Sequence, residues 1–142
     1  MKEGPSTSIA KTDMRVSCDA LAALVSEAAH ARPRECCGIL LGEGSLITAI
    51  SPARNVHPAP QTHFEIDPQS LIDAHRDARG GGRQVIGYYH SHPSGRAEPS
   101  ATDRLMAAAD GMVWAIVAGD RVSLWRDAQT GFTPLSYACR TA

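Results

Sequence analysis

The sequence predicts a mixed α/β domain of α+β character, built as one mixed, mostly antiparallel curved sheet with helices packed on its faces. Three observations support this. At 142 residues the chain is the size of one domain, able to bury about 68–70% of the surface that its unfolded form exposes. Apolar spacing switches between helical and strand periods without the regular βαβ alternation of a parallel sheet. Tight turn signals, Glu43-Gly44 and Gly119-Asp120, join neighbouring apolar runs and make them antiparallel.

The elements follow in order. Ser17 is an N-cap for a helix over residues 18–31, whose Leu21, Leu24, Val25 and Ala28 share one stripe, and Pro33 closes that region. The run CCGILLG, residues 36–42, reads as a buried strand, and residues 46–50 form its hairpin partner. A polar loop over residues 55–63 leads to a short strand at 64–66. Asp67-Pro68 then starts a helix, a cap followed by a first-turn proline, which ends before Gly80, Gly81 and Gly82. Residues 85–91 form a strand, and the segment after Pro99 is helical through about 109. Residues 112–118 and 122–125 form the second hairpin, and 132–137 add a last strand. Residues 1–12 are polar with Gly, Pro, Ser and Thr and read as a loosely ordered tail ahead of a folded unit at 13–142.

Composition narrows the function. Fourteen basic and fifteen acidic residues leave a net charge of −1 without a run of either sign, which speaks against nucleic-acid or anionic-membrane partners. The first twelve residues lack a signal-peptide apolar core, and the longest apolar run, 112–118, is too short to cross a bilayer, so a cytoplasmic protein is expected. Cys18, Cys36, Cys37 and Cys139 form no C-x-x-C pair, and neighbouring Cys36 and Cys37 point to opposite faces of a strand. All four are expected to be small buried side chains in a reducing compartment.

The chemistry concentrates in GYYHSHPSGRAEPSATDR, residues 87–104. Residues two apart in a strand share a face, so His90 and His92 project together, and His92-Pro93 ends the strand where a cavity opens. Ser100 and Asp103 sit at the cap and third positions of the next helix. S-x-x-D alone is an ordinary capping device. Beside two histidines, the acid completes a set of three metal ligands that leaves a fourth position for water, the pattern of a catalytic rather than a structural zinc site. Other H-x-H enzymes fit poorly: amidohydrolase barrels need about 250 residues, and H-E-x-x-H is absent.

His90-Ser91-His92-Pro93, then six residues, Ser100, two residues and Asp103 resembles the H-x-H-P-x(6)-S-x-x-D signature of the JAMM metalloproteases, the catalytically competent MPN-domain family. RPRECCGILLG, HFEIDPQSL, VIGYYHSHP and VWAIVAGDRVSLWR extend the resemblance over about residues 15–126. It implies the MPN/JAMM, cytidine-deaminase-like architecture of a stand-alone prokaryotic member. It also implies one Zn2+ on His90, His92 and Asp103, Glu35 as general acid/base, and Ser100 as a hydroxyl donor to the oxyanion. Glu98, inside the motif loop, is the rival base. Glu35 is preferred because it opens an apolar strand where desolvation lifts a carboxyl pKa, whereas Glu98 lies in a solvated segment. His57, His63, His30 and His75 read as surface or structural, and Tyr88 and Tyr89 as packing residues.

The implied reaction is hydrolysis of a peptide or isopeptide bond, by Glu-assisted attack of zinc-bound water, next to the C-terminal tail of a ubiquitin-like β-grasp protein of sulfur-carrier type. Strand addition to a sheet edge would grip that tail, and an exposed edge also invites a homodimer. Two alternatives are a non-catalytic MPN scaffold, disfavoured by the complete ligand set, and a DNA-repair-type relative, disfavoured by the absence of a basic patch.

Overall fold

A computed structural model describes residues 12–141. The expected tail at 1–12 lies almost wholly outside them. In chain order the elements are β1 (Met14–Ser17), α1 (Cys18–Ala31), β2 (Cys37–Glu43), β3 (Leu46–Ala53), α2 (Pro68–Arg79), β4 (Gln84–Ser91), α3 (Ala101–Met106), β5 (Val113–Ala118), β6 (Arg121–Ala128), β7 (Gly131–Leu135) and β8 (Tyr137–Arg140). The caps behave as their residue types dictate. Ser17 accepts from the Ala20 amide, and Asp67 accepts from Gln69 ahead of the first-turn Pro68.

Eight strands form one sheet in the order β7-β6-β5-β4-β2-β3-β1-β8. Pairings β2–β3, β2–β4, β5–β6 and β6–β7 are antiparallel; β1–β3, β1–β8 and β4–β5 are parallel. β7 and β8 are the two outer strands, yet only Ser136 separates them in the chain. One residue spans roughly 3.3–3.6 Å, so the sheet curls until its edges meet. This is the expected curvature, carried almost to closure.

Alternation across the strands sorts the core. Leu40, Tyr89, Ala115, Val117 and Leu124 join Ala20, Leu24 and Ala28 of α1 in one apolar cluster. The alternate residues Ile39, His90, Trp114 and Ile116 face the other way, toward the side where α2 packs on β4 and buries Ala74. The histidine motif thus leaves the sheet on the face opposite α1.

Four features differ from expectation. The strand at 64–66 reduces to one bridge, Asn55 with Ile66. The helix after Pro99 ends at Met106, because the buried Asp127 carboxylate captures the amides of Ala108 and Ala109 and Ala109 turns to φ 55°. The last strand divides at Ser136, whose amide donates to the Asp13 carboxylate, and its second half crosses to β1. β1 itself is too short to announce itself by periodicity.

The cysteine reading needs correction. Cys36 and Cys37 are buried thiols as expected, pushed up to about 11 and 12 mainly by desolvation. Cys18 and Cys139, however, form a disulfide with Cα atoms 5.4 Å apart. Cys18 opens α1 directly after β1, and parallel β1–β8 pairing sets Val16 opposite Cys139, so the sheet brings together residues 121 apart in sequence. That proximity is tertiary and leaves no local trace. Denaturation without reductant should expose two reactive thiols per chain, and four after reduction. Four in both cases would exclude the bond.

β4 and β5 approach closely at Gly87, where an added Cβ would sit 1.8 Å from the Val113 carbonyl oxygen. Gly44, at φ +61°, has nothing within 4 Å. Gly87→Ala should therefore lower stability by more than about 3 kcal/mol or prevent folding, since strands must separate. Gly44→Ala should cost about 1–2 kcal/mol through its left-handed backbone alone. Thermal or denaturant melts of the two variants test this order.

Candidate metal centre

Strand pairing assembles the site. β4 runs between β2 and β5, with His90 registered opposite Cys37 on one side and Ile116 on the other. His92 leaves the strand end with its amide donating to the Val117 carbonyl. Glu35 precedes β2, so antiparallel pairing carries it to the end of β4 where the histidines emerge. The buried Ser91 secures that junction: its Oγ accepts from the Cys36 amide at 2.8 Å, and its own amide donates to the Cys36 carbonyl.

Three side chains converge. His90 Nε2 lies 3.0 Å from His92 Nε2 and 3.0 Å from Asp103 Oδ1, while His92 Nε2 lies 3.0 Å from Asp103 Oδ2. All three residues are buried, and one ligand atom from each falls within 4.8 Å of the others. Asp103 serves α3 as well. Its Oδ2 accepts from the Ser100 amide, and its own amide donates to Ser100 Oγ, completing a capping box. The capping and ligand readings of S-x-x-D therefore hold together.

The donor chemistry fits a cation. His92 Nδ1 meets the Arg96 carbonyl at 2.7 Å; a carbonyl only accepts, so Nδ1 carries the proton and Nε2 offers a lone pair in the neutral ring. Burial pushes His90 down and keeps it neutral. It also disfavours charge on His92 and Asp103, but a proton held between His92 Nε2 and the carboxylate outweighs it. This leaves His92 raised and holds the Asp103 carboxyl well below the carboxylate range. Acceptor atoms this close repel unless a proton or cation lies among them. Two donors on a tetrahedral zinc, each about 2.0–2.1 Å from it, stand roughly 3.3 Å apart, near the spacing seen here.

Glu35 is 7% exposed, and burial lifts its carboxyl to about 7, with nearby His92 lowering and Asp103 raising it. Glu98 is exposed. Ser100 is exposed, and because its Oγ accepts the capping bond, its hydroxyl proton stays free for another partner. The other histidines take no part in this cluster: His57 stacks on His63 at 4.6 Å, and His30 bonds to the Ser26 carbonyl from the surface of α1.

Sequence reasoning missed the supports. Phe64 stacks on His90 at 4.2 Å and meets Trp114 edge-on at 5.8 Å. With Ile66, Leu71, Tyr88 and Met106 they line an apolar cleft of about 380 Å³ beside the centre. Ser91 and the Arg96 carbonyl also lie within the motif, but a pattern cannot tell which neighbours turn inward to brace it. No helix among the described residues is long and apolar enough to cross a membrane.

Comparison with known proteins agrees with this geometry. A desampylase of Haloferax volcanii is 37% identical over 90 residues, 62% of this chain and 65% of its own length. A probable TtuB-protein conjugate cleaving protease of Thermus thermophilus is 37% identical over 71 residues, half of this chain and 47% of its own. The matches thus span less than two thirds of either relative. In fold, a Desulfitobacterium hafniense protein solved in solution superposes with a TM-score of 0.79 at 24% identity, over 91% of this chain and 94% of its own. Residues 17–129 match the family described as prokaryotic homologues of the JAB domain. That span takes in both strands that flank the histidines and the helix that carries the acid, and the chain accordingly belongs to the prokaryotic JAB family, in the JAMM/MPN lineage that its motif resembles.

Proposed function

We propose that the chain is a zinc metallopeptidase or isopeptidase acting next to the C-terminal tail of a ubiquitin-like β-grasp protein of sulfur-carrier type. The observation that carries this reading is the convergence of two imidazole Nε2 atoms and one carboxylate, all buried, with a desolvated glutamate on the adjoining strand end. His90, His92 and Asp103 would hold the ion. Zinc bound by three protein ligands supplies a Lewis acid that polarises a carbonyl and lowers the pKa of water.

The other residues divide the remaining work. Glu35, with its pKa set near neutrality, accepts the proton of the attacking water and later delivers it to the leaving amine. The free proton of Ser100 is available to the oxygen on which charge develops. The apolar cleft at Phe64, Tyr88 and Trp114 suits one side of an extended tail. The proposed substrate class is supported by the names of two relatives, one a desampylase and the other named for cleaving TtuB–protein conjugates.

Purified protein should hold about one zinc per chain, measured by elemental analysis. Asp103→Ala should lose most of it. Glu35→Gln should keep the metal and lose cleavage of a β-grasp C-terminal fusion by at least about 100-fold, with Glu98→Gln near wild type. Normal cleavage by Glu35→Gln alongside a dead Glu98→Gln would transfer the role to Glu98.

The pH dependence has a definite sign. Glu35 acts as a base only when deprotonated, so the rate is lost as pH falls through its pKa. Burial sets that value at about 7, and a neighbouring dication moves it lower. The acid limb of kcat/KM should therefore bend at or below about pH 7 and fall about tenfold per unit beyond it. A profile flat from pH 8 to pH 5 would count against this residue.

A further inference from the structure

We propose that Asn55 is the positioning residue for Glu35, holding its main chain so that the carboxylate faces the metal centre. The proposal rests on the reading of Glu35 as general base. Glu35 lies two residues ahead of β2 and so outside the ladder that fixes the rest of that segment. Its peptide groups find partners in the loop after β3 instead. The Glu35 amide donates to the Pro60 carbonyl at 2.7 Å, and the Glu35 carbonyl accepts from Asn55 Nδ2 at 3.0 Å.

Asn55 is saturated. A side-chain amide has two N–H donors and an oxygen with two lone pairs. Nδ2 donates to the Glu35 and His63 carbonyls, and Oδ1 accepts from the amides of His57 at 3.1 Å and Glu65 at 3.0 Å. The same residue pairs with Ile66 as an isolated bridge, and the Val56 amide donates to the Glu65 carbonyl. One half-buried side chain thus gathers both ends of the loop and ties them to the base. On the other flank, Ser91 holds Cys36 to the histidine strand. The Glu35 backbone is clamped between the strand that bears the ligands and a loop organised by Asn55.

The chemistry makes this clamp matter. A base must lie within hydrogen-bond reach of the proton it takes, and a displacement of about 1 Å can cost on the order of 100-fold in rate. Asn55 makes no hydrogen bond to His90, His92 or Asp103. Its loss should therefore reach catalysis without reaching the metal.

Two measurements decide the matter. In the first, Asn55→Ala is assayed on a β-grasp C-terminal fusion. It should keep about one zinc per chain, keep KM within about threefold, and lose kcat by about 10- to 100-fold. Combined with Glu35→Gln it should add nothing, because the base it positions is already gone. Wild-type kcat in Asn55→Ala, or losses that multiply in the double variant, would overturn the proposal. Wild-type cleavage by Glu35→Gln would instead overturn the base assignment, and this proposal with it. In the second, amide hydrogen exchange is read by NMR on the unaltered protein, so no variant needs to fold. The Glu35 amide and the Asn55 side-chain amide should exchange at least tenfold slower than free amides. Exchange at the free rate would overturn the clamp whatever the kinetics show.

Discussion

The site depends on one register: antiparallel β2 against β4, with Cys37 opposite His90. Strand pairing carries the segment just ahead of β2, with its acid, to the end of β4 where the histidines emerge. A one-residue slip would turn every side chain on the slipped strand to the other face, which would point His90 into the α1 core and bring Tyr89 out. The register is held from several sides. Leu40 and Tyr89 fit only under α1, Gly87 admits the β5 backbone, and the Ser91–Cys36 bonds lock the last rung. Packing of the far face thereby secures the chemistry of the near one.

Burial works in opposite directions within a few ångströms. It depresses His90, lifts Glu35, and is overcome at Asp103 by hydrogen bonds from both imidazoles. A neutral His90, a charged carboxylate and a glutamate near neutrality are what hydrolysis at a dication would require together. No one group was tuned alone; the environments differ because the residues enter from a strand end, a helix start and the segment ahead of another strand.

Much of this was readable in the linear chain, and the limits have physical causes. The i, i+2 histidines, the proline stop and the cap-plus-acid spacing are local geometry, so the candidate ligand set, whose three side chains the fold brings together, could be named before any fold was drawn. Helix α1 and its Ser17 cap, Asp67-Pro68 and both hairpins are likewise local signals. What stayed hidden is non-local. β1 and β8 are four-residue strands that pair with each other, and β1 also with β3, and the Cys18–Cys139 bond depends on that pairing. The early stop of α3 follows from Asp127, a buried carboxylate on a strand beyond the helix that captures two amides. Glu35 could be favoured over Glu98 on desolvation, but its nearness to the histidines is a property of the sheet.

The capping box at Ser100 and Asp103 has a consequence for how the centre fills. Because the helix terminus already fixes the aspartate rotamer, that ligand is ordered by folding itself, before any ion arrives. Loading would then demand little rearrangement from this side chain, and affinity would gain what a floppy carboxylate forfeits to entropy. Ser100, whose amide holds that carboxylate, would thereby take part in deciding how tightly an ion is held there.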